Sequence, residues 1–177
     1  MKEFRQVILA PVLVVGLAAL LLHGLDMLPA YLPGSAPVVK EYGTLEEAAS
    51  ELGFNIVVPV YFPSYLAWPP AKVQVQLQPF PMVRMTFLSS NQNTEILLIY
   101  QMVSDSRGLP TPLPWIETVY QQIPVTINDS QGELIVGKRA NGDVVNATHW
   151  TVEGRHFLLV TTQPVQELLT LSRSMYP

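Results

Sequence analysis

Hydrophobic and polar positions along the chain fall into three regimes. Residues 7–22, VILAPVLVVGLAALLL, form an apolar run without a charge. Residues 26–43, DMLPAYLPGSAPVVKEYG, show no period and are broken by prolines and glycines, the mark of a semi-extended linker. From residue 44 onward the pattern becomes periodic. Leu45, Ala48, Ala49 and Leu52 recur at the spacing of one helix face, after the capping-box sequence Thr44-Leu45-Glu46-Glu47 and before Gly53. This predicts a short amphipathic helix over 45–52.

Strands follow. Residues 72–78, KVQVQLQ, alternate without a break, so one face is buried and the other wet. Runs at 83–88, 95–103, 121–127, 133–136, 144–152 and 157–160 read as further strands. Asn91-Gln92-Asn93 and Asn141-Gly142 mark turns, and Glu153-Gly154 marks a tight hairpin. Pro164 opens a closing helix over about 164–175, with Val165, Leu168, Leu169 and Met175 on its apolar face. Strands in series with helices only at the ends predict an α+β fold. The expected architecture is an N-terminal transmembrane helix followed by one antiparallel sheet of six to seven strands, with a short helix before it and a helix at the C-terminus. The expected domains are a cytoplasmic stub and membrane anchor (or signal peptide) at 1–25, the linker at 26–43, and the α+β domain at 44–177.

Composition sharpens the membrane reading. Charged residues make up 14% of the 177-residue chain and hydrophobic ones 49%, against about 25% charged in an ordinary soluble domain. The run at 7–22 would span about 24 Å as a helix, and flanking Gln6 and His23 to Leu25 bring it close to the roughly 30 Å hydrocarbon core of a bilayer. No cysteine exists to carry a lipid, and the candidate cleavage sites after the run are weak. An uncleaved anchor over 7–25 is therefore favoured. Lys2 and Arg5 precede the run, which places residues 1–6 in the cytoplasm and the remainder outside as a single-pass cell-membrane protein. Residues 1–6 carry a net +1, so the rest carries −5 of the total −4. An acidic exterior argues against nucleic acid as a partner.

Candidate chemistry is sparse. The lack of cysteine excludes thiol catalysis and thiolate metal sites. No G-x-S-x-G, H-E-x-x-H or phosphate-binding glycine loop occurs. His149 and His156 fall diagonally across the hairpin expected at Glu153-Gly154, and two such ligands do not complete a metal site. No cofactor and no metal are expected.

Two segments remain. Residues 57–70, VVPVYFPSYLAWPP, place Tyr61, Phe62, Tyr65 and Trp68 among four prolines. Such a segment can shield a sheet edge, since proline leaves no unpaired donor, or can line a groove for a partner. Residues 104–114, SDSRGLPTPLP, form the longest irregular stretch, and loops of this length are often functional. The expected binding residues are Tyr61, Phe62, Tyr65 and Trp68 with Leu109 and Trp115 from the second segment.

Gly53-Phe54-Asn55-Ile56-Val57-Val58-Pro59, then Phe62-Pro63 and Tyr65, resembles the opening of a bacterial extracytoplasmic domain of unknown function with a "vP..lP.gY" motif. Gly137-Lys138, Trp150, Glu153-Gly154 and the segment from Glu167 to Tyr176 extend the likeness over 44–176. The resemblance implies a domain behind a single membrane segment, often in anti-sigma-factor-like proteins of Gram-positive-type bacteria, without catalytic residues. Ser64 stands where the motif has glycine, and residues 1–6 leave no room for a sigma-binding domain. The functional expectation is a membrane-anchored, non-enzymatic module that binds a membrane or envelope protein partner or an envelope ligand. Two alternatives are a lipid or lipoprotein carrier lined by Met82, Met85, Met102 and Met175, and a metal-dependent hydrolase using His149 and His156.

Overall fold

A computed structural model describes residues 38–103 and 113–176. The elements in chain order are β1 (Val39–Tyr42), α1 (Leu45–Leu52), β2 (Lys72–Gln76), β3 (Met82–Leu88), β4 (Glu95–Val103), β5 (Thr118–Ile127), β6 (Ser130–Lys138), β7 (Val144–Val152), β8 (Arg155–Thr161) and α2 (Val165–Arg173). All eight strands belong to one antiparallel sheet in the order β1-β2-β3-β4-β8-β7-β6-β5. Strands β1–β4 form one meander and β5–β8 another. Their last strands, β4 and β8, pair with each other from Leu97↔Thr161 to Val103↔Arg155.

This overturns the expected α+β class with a sheet of six to seven strands. The described chain is mostly one eight-stranded sheet with only two helices, of eight and nine residues. The additional strand is β1, which lies inside the stretch read as linker. Its four residues are largely exposed, so its sequence carries no burial period to detect. No helix among the described residues is long and apolar enough to cross a membrane. The anchor expected over 7–25 lies outside the described residues.

Local chemistry sets the element ends. The Thr44 hydroxyl accepts from the Glu47 N–H at 3.2 Å, and the Glu47 carboxylate accepts from the Gly43 N–H at 3.3 Å. The first bond satisfies a donor that the opening turn of α1 leaves free, and the second ties down the chain just before the cap. Gly53 ends the helix at φ 72°, its N–H donating to the Ala49 carbonyl. The two-residue turns Asn128-Asp129 and Glu153-Gly154 close the β5–β6 and β7–β8 hairpins, with Asn128, Glu153 and Gly154 all at positive φ. In a two-residue hairpin the flanking pair, here Ile127↔Ser130, is hydrogen-bonded and the pairs alternate outward from it. Pro124 thus falls at a non-bonded position opposite Glu133, and its missing N–H faces the free edge of the sheet. The edge is blunted where another chain would otherwise pair.

The two central strands are buried on both faces, which explains the near-continuous apolar runs EILLIYQMV and HFLLV. Leu97, Ile99, Phe157 and Leu159 face one core with Val83, Met85, Phe87, and the helical residues Ala48, Leu52, Leu168 and Leu171. Both helices therefore lie on this face. Leu98, Tyr100, Leu158 and Val160 face a second core with Ile135, Val145 and Ala147, against which Phe80, Met82, Leu113 and Trp115 pack.

Candidate functional site

The chain between α1 and β2 forms a strap on the helix-bearing face. After Gly53 it runs extended, and Val57 is fixed by a side chain rather than by a strand. Gln101, fully buried in the middle of β4, accepts from the Val57 N–H at 2.9 Å and donates to the Val57 carbonyl. One carboxamide thus replaces a ladder pair for the strap. Val60 N–H donates to the Ser174 carbonyl at 3.1 Å, which ties the strap to the end of α2.

Beyond Pro63 the strap turns onto the edge of β3. The Ser90 N–H donates to the Tyr65 carbonyl, Ala67 N–H to the Leu88 carbonyl, and Ala71 N–H to the Thr86 carbonyl, all within 2.9 Å. Leu66 and Ser89 form an isolated antiparallel bridge. The segment covers the part of β3 that β2 leaves open. Its prolines, at 59, 63, 69 and 70, bring no N–H that would need an acceptor, and the Trp68-Pro69 peptide is cis.

Covering the edge leaves a cleft of about 430 Å³, lined by Val58, Pro59, Phe62, Pro63, Ser64, Leu66 and Trp68. Phe87, fully buried, backs the aromatic cluster. The Phe62 ring meets Trp68 edge-on at 5.0 Å and Phe87 at 5.6 Å, while Trp68 and Phe87 lie near parallel at 6.3 Å. Trp68 nonetheless keeps 54% of its surface exposed, and Val60 beside the cleft keeps 82%. No charged side chain lines the cleft. Its lining is apolar apart from Ser64, a set suited to a neutral, largely apolar group.

The expected binding residues separate. Phe62 and Trp68 line the cleft. Tyr61 lies beside it in sequence and is 40% exposed. Tyr65 turns away, its hydroxyl donating to Glu167 of α2 at 3.4 Å. Burial, and then the neighbouring Glu167 carboxylate, push the Tyr65 phenol well above its ordinary pKa. Trp115 sits on the opposite face of the sheet, packed on the second core with the Arg139 guanidinium 3.9 Å above its ring. Leu109 lies outside the described residues. The cleft also has members that the sequence did not single out: Val58, Pro59, Pro63, Ser64 and Leu66.

The residues of the two alternatives are placed as follows. Met85 and Met175 belong to the helix-side core, whereas Met102 and Met82 pack in the core on the other face. The sheet itself separates them, so the four do not line one cavity. His149 and His156 lie together on the face opposite the cleft, beside Thr151. Among the described residues no group of three His, Cys, Asp or Glu side chains is placed to hold a metal ion.

Comparison with protein-family models, curated proteins and solved structures finds no match to this chain, so its functional reading rests on the geometry alone.

Proposed function

We propose that this chain is a non-enzymatic binding module, held at the cell membrane by its N-terminal apolar segment, whose outer domain docks a membrane or envelope partner into the cleft of the strap. The observation that carries the reading is the exposure of Trp68. An indole stacked near Phe87 and Phe62, held by a hydrogen-bonded strap, is rigid before anything binds, so little ordering cost attends the contact. Covering the exposed half of a Trp, about 100 Å² of apolar surface, is worth about 2.5 kcal/mol. That is the profile of an anchor residue at an interface.

The test is co-purification of the full chain, tagged at its C-terminus, from its native membranes in mild detergent. The same preparation is made from Trp68→Ala. A stoichiometric partner retained by the wild type and lost from the variant supports the reading. Equal recovery from both, or none from either, overturns it.

A further inference from the structure

Trp115 has no part in the strap cleft, and it carries a cation on the opposite face of the sheet. It stands in a tight turn before β5, where the Ile116 N–H donates to the Leu113 carbonyl at 3.2 Å and the Glu117 N–H to the Lys138 carbonyl at 2.9 Å. Its φ is 63°, a left-handed conformation that a bulky side chain adopts only at a cost. The turn holds the indole where Arg139 lies over it, the guanidinium carbon 3.9 Å from the ring centroid. Arg139 is fixed from its own side as well. Its N–H donates to the Asp143 carbonyl and its carbonyl accepts from the Gly142 N–H, both at 2.9 Å.

Arg139 Nε and Nη2 are buried and have no hydrogen-bond acceptor among the described residues. These two nitrogens share one edge of the guanidinium, the edge that meets both oxygens of a carboxylate. The residue as a whole is half-buried, so that edge lies just beneath the surface. Burial lowers the Arg139 pKa, while the nearby charges of Asp143 and then Glu95 oppose the shift. Both carboxylates are engaged elsewhere. Asp143 Oδ2 accepts from Asn141 Nδ2 at 2.7 Å, and Glu95 Oε1 pairs with Lys72 Nζ at 3.5 Å.

We propose that the edge of Arg139 bearing Nε and Nη2 binds a small monocarboxylate. Each carboxylate oxygen accepts from one nitrogen, which makes two charge-assisted hydrogen bonds in a place shielded from water, where such bonds are strongest. The guanidinium rests on Trp115 before the ligand arrives, so little order is lost on binding. Size follows from burial. The edge lies beneath the surface, within reach of an ion as small as formate or acetate and out of reach of the side of a folded partner. Charge follows from Asp143 and Glu95, whose negative field already acts on Arg139. The single charge of a carboxylate is balanced by the guanidinium, and the charge of about −1.5 to −2 on a phosphate at pH 7 is not.

The experiment is titration of the full chain in mild detergent at pH 7, with the Arg139 Nε–H signal followed by ¹H–¹⁵N spectroscopy. Sodium formate, sodium acetate and sodium phosphate are compared with sodium chloride at equal ionic strength. The expected result is a saturable shift of Arg139 Nε–H with formate and acetate, weaker binding of phosphate, and no saturation with chloride. Bound acetate also raises the Tm of the wild type. Arg139→Lys keeps the charge and loses the two-pronged edge, so this rise is lost in the variant. A shift that does not saturate with formate or acetate, equal saturation by chloride, or tighter binding of phosphate than of acetate would overturn the proposal. So would a rise in Tm with acetate that survives Arg139→Lys; if that variant fails to fold, the wild-type titration decides alone. No partner enters the assay, so its outcome is independent of the strap cleft.

Discussion

Replacing Gln101 by Leu removes the side chain that holds Val57 of the strap. The change keeps volume and apolar packing close to the original, so it isolates the hydrogen bonds. Gln101 is fully buried and Val57 nearly so, with 9% of its surface exposed. Both Val57 backbone groups lose their partner, and water has little access to replace it. Each buried Val57 group left unpaired costs about 1–3 kcal/mol, a figure that already contains the lost bond. Burying Leu in place of a carboxamide returns part of this, about 1–2 kcal/mol. The expected net loss is about 1–4 kcal/mol. Urea unfolding at pH 7 measures it as a drop in midpoint at unchanged slope. Local exchange of the Val57 amide should accelerate further than that of the β7 amides. A loss below about 0.5 kcal/mol, within the range of ordinary surface substitutions, would refute the argument that the carboxamide secures the strap.

Other outcomes follow from the same geometry. Trp68→Ala should weaken the partner complex by roughly 10- to 100-fold, measured by titration with the purified partner, with stability changed far less than by Gln101→Leu. Stability should fall in acid through His149. Its folded pKa is lowered, so the unfolded chain binds more protons once pH drops below about 6.5. The loss begins there, proceeds at no more than about 1.4 kcal/mol per pH unit, and levels off below the folded pKa; urea melts at pH 7.5, 6.5 and 5.5 give the slope, and His149→Gln should flatten it. Gly132→Ala should destabilise by about 1–3 kcal/mol, because its Cβ would lie 2.5 Å from the His149 carbonyl oxygen, a backbone atom fixed in the ladder. Thr44→Ala should cost about 1 kcal/mol through loss of the α1 cap, read from a thermal melt.

Much of the local structure was legible because local chemistry determines it. The capping sequence at Thr44, the glycine at 53 and the Glu153-Gly154 turn each dictate an element end without help from elsewhere. The strands at 95–103 and 144–152 stand where their apolar runs put them. What escaped was decided by pairing. β1 is four mostly exposed residues that become a strand only because β2 lies beside it. The class was misread for the same reason: the sheet takes up an eighth strand, and its two helices cover one face of an otherwise all-antiparallel structure.

The candidate site was half legible. Four aromatics among prolines pointed to the strap, and Phe62 and Trp68 do line its cleft. Nothing in sequence says that Tyr65 will turn to Glu167, or that Trp115 will sit under Arg139 on the far face. Gln101 is the one polar residue in the interior of its run. A lone carboxamide inside the run EILLIYQMV must bury its polar atoms with a partner, and a proline-bearing strap that lacks its own ladder is the natural one.

The central claim is that the strap cleft is where a partner docks. The most direct measurement is site-specific photocrosslinking in native membranes of the full chain, with a photoreactive residue at Val60 and, as control, at Val144 on β7. Both positions are exposed, at 82% and 56%, so both tolerate the replacement. The account predicts one discrete adduct from position 60, none from 144, and loss of the adduct when Trp68→Ala is added. No adduct from position 60, or the same adduct from both positions, would contradict it.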